Sequence, residues 1–88
     1  MKPLRINLRG KRYTVRHCKL PRSVDGEFDA DAKVLAVNER LTHRAHLDTV
    51  VHETLHACLP DAAEEAINET ACDIARLLWR LGYRRCEV

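Results

Sequence analysis

Residues 52–56 read His-Glu-Thr-Leu-His, and this run constrains the fold more than any other stretch of the chain. Two histidines four residues apart meet on an α-helix, where they lie about 40° apart around the axis and one turn along it. Val50, Val51, Leu55 and Leu59 flank the run and supply apolar residues for a helix expected from about residue 45 to residue 59. Pro60 ends it, because proline lacks the amide proton that a helix interior needs. Asp61 can then cap a second helix, expected from about residue 62 to residue 81 and closing at Gly82. In that segment Ile67, Ala71, Ile74, Leu78 and Leu81 recur at steps of four and three and make one apolar stripe. The two segments form an antiparallel hairpin turning near Pro60.

Upstream, the hydrophobic period shortens to two. Leu4, Ile6 and Leu8 alternate with Arg5, Asn7 and Arg9, the pattern of a strand with one apolar and one basic face. Residues 4–9 and 12–18 are expected strands, joined at Gly10-Lys11 by a type II′ turn. The run Lys33-Val34-Leu35-Ala36-Val37 is the third, and residues 21–31 between them, rich in turn formers and acids, read as a loop. The fold class is therefore α+β: a small three-stranded sheet over residues 4–37, then the two-helix hairpin, in a single domain spanning 1–88. A chain of 88 residues buries only about 60–65% of its unfolded surface, so one modest core is all it can support.

The chemistry sits in the first helix. His52 and His56 can reach one ion together, and Glu53 then stands where it touches a water on that ion without ligating it. Zinc lowers the pKa of such a water to about 7. Glu53 is the candidate general base, taking the water's proton and passing it to a leaving amine. A catalytic zinc keeps three protein ligands, and no histidine follows His56, so the third is expected to be a carboxylate among Asp61, Glu64, Glu65, Glu69 and Asp73. In a hairpin turning near Pro60, His52 lies level with about residue 68 and His56 with about residue 64. That brings Glu69 within reach of His52, with Asp73 one turn further on the same face; Glu65 and Glu64 are the alternatives. A carboxylate behind a ligating histidine fixes its tautomer, a role open to Asp73.

Charge and cysteines bound the remaining possibilities. Residues 1–22 carry eight Lys or Arg and no acid, whereas residues 23–73 carry twelve acids against three bases. The basic segment permits a weak nucleic-acid contact through residues 5–22, with Lys11, Arg12 and Arg16 as candidates. Tyr13 is the only aromatic there, which supports a base-stacking platform poorly. Cys18, Cys58, Cys72 and Cys86 form no Cys-x-x-Cys pair, so free thiols are expected, with Cys58 and Cys72 packing between helices. No apolar stretch approaches the roughly 20 residues that span a bilayer, and the start lacks the apolar core of a signal peptide. The cytosol is the expected compartment, with no membrane partner.

His52-Glu53-x-x-His56 followed by Asn68-Glu69-x-x-x-Asp73 resembles the two motifs of thermolysin-like gluzincins. A small sheet before the first motif is similar to the minimal zincins of phage and bacteria, the SprT-like and ImmA/IrrE-like metallopeptidases among them. The resemblance covers about residues 33–81. It implies a zinc-dependent hydrolase of peptide bonds, with Glu69 as third ligand and Asp73 supporting His52. It also implies an extended peptide substrate held along the edge strand beside the active-site helix, here Val34 to Val37. Tyr13, Tyr83, His43 and His46 are the candidate donors to a tetrahedral oxyanion. The readings that compete with a peptidase are a zinc-binding module without turnover and a nucleic-acid- or partner-binding module using the basic hairpin. The chain departs from the family in having only twelve residues between His56 and Glu69 and no histidine after the first motif.

Overall fold

The computed structural model describes residues 2–85. Six elements follow one another: β1 (Leu4–Leu8), β2 (Lys11–Cys18), β3 (Gly26–Asp29), β4 (Val34–Asn38), α1 (His43–Cys58) and α2 (Glu64–Arg80). The sheet has four strands in the order β1-β2-β4-β3, not three. β1 and β3 pair antiparallel with β2 and β4 respectively, and β2 pairs parallel with β4. Cys86 lies outside the described residues.

The first hairpin forms for the reason its alternation suggests, but its turn is one residue earlier than expected. Leu8 pairs with Lys11, and the two residues between them, Arg9 and Gly10, have φ of 49° and 79°. Positive φ at both central positions is type I′ geometry, whose twist matches that of the strands. Arg9 then donates from Nη1 to the Cys58 carbonyl at 2.8 Å, placing a cation on the negative end of α1.

The additional strand, β3, lies within the stretch read as loop. It is four residues long and acidic, and its apolar signal is Phe28 alone, paired with Leu35. Its presence moves Val34–Asn38 from the sheet edge to the interior, where Leu35 and Val37 are almost fully buried. The edge strand beside α1 is therefore β3, and the expected edge role of Val34 to Val37 is corrected accordingly. A parallel β2–β4 pair needs a crossover, and residues 19–33 provide it. Asn38 pins that connection: its Nδ2 donates to the Leu20, Pro21 and Val24 carbonyls, and its Oδ1 accepts from the Arg40 amide.

The core lies between one face of the sheet and α1. Tyr13, Leu35 and Ala57 are buried together, with Leu8, Val15 and Phe28 packed around them. α1 presents Thr49, Glu53 and Ala57 inward at steps of four, a stripe of mostly small side chains that lets its axis approach the sheet. α2 packs on α1 through Ile67, Ala71 and Ala75. Ile74 and Leu78 of the expected stripe are half-buried, and Leu81 is exposed. α2 begins at Glu64 with Ala63 at its cap and no side-chain cap bond, so Asp61 does not cap it. Cys18, Cys58 and Cys72 are free thiols; Cys72 is exposed, not packed between helices. Among the described residues no helix is long and apolar enough to cross a membrane.

Candidate metal centre

Helical spacing brings the two imidazoles together as the run His52–His56 suggests. Their Nε2 atoms are 3.1 Å apart, and both side chains are about one-quarter exposed. The ring centres are 4.7 Å apart with planes inclined by 68°. That separation exceeds the N–N distance by less than two ring radii, so the rings converge on a common point to one side. A different pair shows the contrast. His17 and His46 have Nε2 atoms 2.8 Å apart, but their rings are nearly coplanar with centres 5.1 Å apart. There the nitrogens lie on the line between the centres, which is the geometry of a head-on N–H···N hydrogen bond.

The convergence point of His52 and His56 is closed by Glu64. Its Oε1 lies 3.5 Å from His52 Nε2 and its Oε2 lies 3.2 Å from His56 Nε2. Among the described residues these three side chains form the only group of three or more metal-ligating residues arranged to hold an ion. Glu69 and Asp73, expected as ligand and supporting carboxylate, are not brought to it: neither belongs to the group, and Asp73 pairs with Arg76 on α2. Glu65 is likewise outside the group. The reason is rotation about α2. At about 100° per residue, Glu64 stands three residues before buried Ile67 and shares its face, whereas Glu69 stands two after it and faces away.

Glu53 is buried to 7% exposure, an unusual position for a carboxylate. Burial raises its pKa; His52 and His56 oppose the shift, and Glu64 and Glu27 add to it. It lines a cleft between α1 and β3, together with His52, His56, the edge strand Gly26–Asp29 and Ala30 just after it. Gly26 makes that closeness possible. A Cβ there would meet Thr49 Cγ2 at 2.6 Å and Glu53 Cγ at 3.2 Å, so a larger residue would push β3 away from the glutamate.

None of the four residues considered as oxyanion donors lines this cleft. Tyr13 is buried in the core, His46 is bonded to His17, and His43 and Tyr83 border a separate groove with Trp79. Trp79 is stacked by Arg84, whose guanidinium sits 3.4 Å over the ring centre. Compared with known proteins, the chain matches no protein family, no curated sequence and no solved structure.

Proposed function

We propose that this protein is a zinc-dependent metallopeptidase with His52, His56 and Glu64 as ligands and Glu53 as general base. The observation that carries the reading is the triangle of ligand atoms. An ion about 2.0–2.1 Å from tetrahedral ligands sets them about 3.3–3.4 Å apart; the two Nε2 atoms are 3.1 Å apart, the Glu64 carboxylate comes within 3.5 Å of His52 Nε2 through Oε1 and within 3.2 Å of His56 Nε2 through Oε2, and one ligand atom from each residue lies within 4.8 Å of the other two. Two imidazoles and a carboxylate leave a fourth position for water, as catalytic zinc sites do.

When bound there, zinc supplies the Lewis acidity that brings a water's pKa to about 7. The remaining work falls to the chain's own groups. Glu53 accepts the water's proton and returns it to the departing amine, and its burial excludes bulk water that would compete for that proton. The free edge of β3 offers backbone N–H and C=O groups to an extended peptide, giving affinity with little sequence preference. The substrate edge is thus Gly26–Asp29.

The test is hydrolysis of an unstructured protein substrate by the zinc-loaded protein. Wild type is expected to cleave, and Glu53→Gln to lose turnover by about two orders of magnitude or more while keeping its zinc. A second reading has its own support: Glu64 opens α2 and the histidines lie on α1, so an ion here also ties two helices of a small domain. Equal zinc binding with no cleavage by wild type would favour that structural role.

A further inference from the structure

The sheet has a second face, and both helices lie on the other one. Tyr13, Leu35 and Phe28 point toward α1, so by the alternation of a pleated strand their neighbours point to the open side. The register fixes which residues share it: Asn7 with Arg12, Arg5 with Thr14 and Val34, and Arg16 with Ala36. Arg5, Arg12 and Arg16 are therefore on one surface, all exposed, and among the described residues none of them makes an ion pair with a carboxylate. Arg12 and Arg16 are four residues apart on β2, about 13 Å, with Arg5 on the adjacent strand level with the midpoint. Lys11 points to the helix side instead, opposite Leu8, and Arg9 is committed to α1. At the far edge of the open face stand Glu27 and Asp29, so its charge is divided, basic on β1 and β2 and acidic on β3.

We infer that the basic half of this open face docks the phosphate backbone of double-stranded nucleic acid. Charge complementarity selects the occupant of this surface, which neither helix covers. Three guanidiniums, each a fork of donors matched to phosphate oxygens, line the β1–β2 half, where no acid among the described residues pairs with them. Single strands are recognised by stacking bases on aromatic rings, and this face carries none: Tyr13 and Phe28 are on the core side, while Trp79 and Tyr83 follow from α2. The face therefore reads backbone charge and not sequence. It lies on the opposite side of the sheet from the cleft that holds His52 and Glu53, so the two surfaces can be occupied together. The inference does not depend on zinc or on peptide cleavage.

The experiment is anisotropy of a labelled 20-base-pair duplex titrated with the full chain across a series of salt concentrations. Three phosphate contacts give a slope of log K against log salt of about −2.7, and each arginine removed reduces it by about 0.9. Arg12→Gln and Arg16→Gln are expected to weaken binding and lower the slope in this way. Lys11→Gln, the same charge change on the opposite face, is expected to leave the slope unchanged. Circular dichroism checks that each variant is folded, and Arg12→Lys, which keeps the charge, is expected to keep the slope. A flat salt dependence, equal losses from Lys11→Gln and Arg12→Gln, or tighter binding to single strands, to a poly-glutamate peptide or to anionic vesicles than to the duplex would each overturn the inference.

Discussion

Glu64 and Glu69 are chemically identical and five residues apart on one helix, and only rotation distinguishes them. The buried residues of α2 are Ile67, Ala71 and Ala75, so the face that meets α1 includes Glu64 and excludes Glu69. That rotation is legible in the sequence, because Ile67 and Ala71 belong to the expected stripe and Glu69 stands opposite them. The expectation of Glu69 rested on its level with His52 in a hairpin turning near Pro60, and level along a helix does not fix which way a side chain faces. Glu53 is read directly from its place after His52, and its burial explains why a carboxylate there can hold a proton. Glu53→Gln is expected to leave zinc content and melting temperature within error of wild type while removing turnover; a loss of zinc would show that Glu53 is a ligand. Asn38→Asp replaces an amide that donates to three carbonyls with a group that repels them, and is expected to cost about 1–3 kcal/mol or more in chemical denaturation.

Elements were legible in proportion to their hydrophobic period. β1, β2 and β4 and both helices carry clear patterns, and their observed limits fall close to those expected. β3 carries almost none: its inward positions are Gly26 and Phe28, and glycine contributes nothing to an apolar alternation. A four-residue acidic strand is stabilised by β4 and α1, not by its own propensity. The same glycine that erases the signal admits Glu53 and Thr49 against the strand. Gly26→Ala therefore overpacks the junction of β3 and α1, with an expected cost of about 1–3 kcal/mol. It should also lower peptide cleavage more than it lowers zinc affinity, since it moves the strand and not the ligands. Unaltered cleavage in Gly26→Ala would remove β3 from the substrate site.

The whole molecule is a sheet whose one face is covered by α1 over β3 and β4, with Leu4 and Ile6 of β1 left exposed, and two histidine pairs lie at its layers. His17 on β2 and His46 on α1 share a proton head-on, and burial first, then the nearby Arg85, lowers both pKa values below 6.5. The unfolded chain takes up protons below pH 6.5 that the folded chain refuses, so stability falls as pH drops from about 6.5 through the lowered values. Thermal melts in chelator should show this loss, and His46→Gln should flatten it; an unchanged pH profile in that variant would assign the loss elsewhere. In the proposed metal site, an ion held by His52, His56 and Glu64 would join α1 to the first turn of α2. At a hundredfold excess over Kd, binding stabilises by about 2.7 kcal/mol, and each kcal/mol moves the melting temperature of so small a domain by about 4–8 °C. EDTA is thus expected to lower it by about 10–20 °C.

The central claim is the ligand set, and metal content tests it most directly. Protein purified without chelator would be assayed for zinc as wild type, His56→Ala, Glu64→Ala and Glu69→Ala. The account predicts about one zinc per chain in wild type and Glu69→Ala, and a marked loss in both His56→Ala and Glu64→Ala. Zinc retained by Glu64→Ala and lost by Glu69→Ala would contradict the site described here, and no zinc in wild type after supplementation would end the metallopeptidase reading.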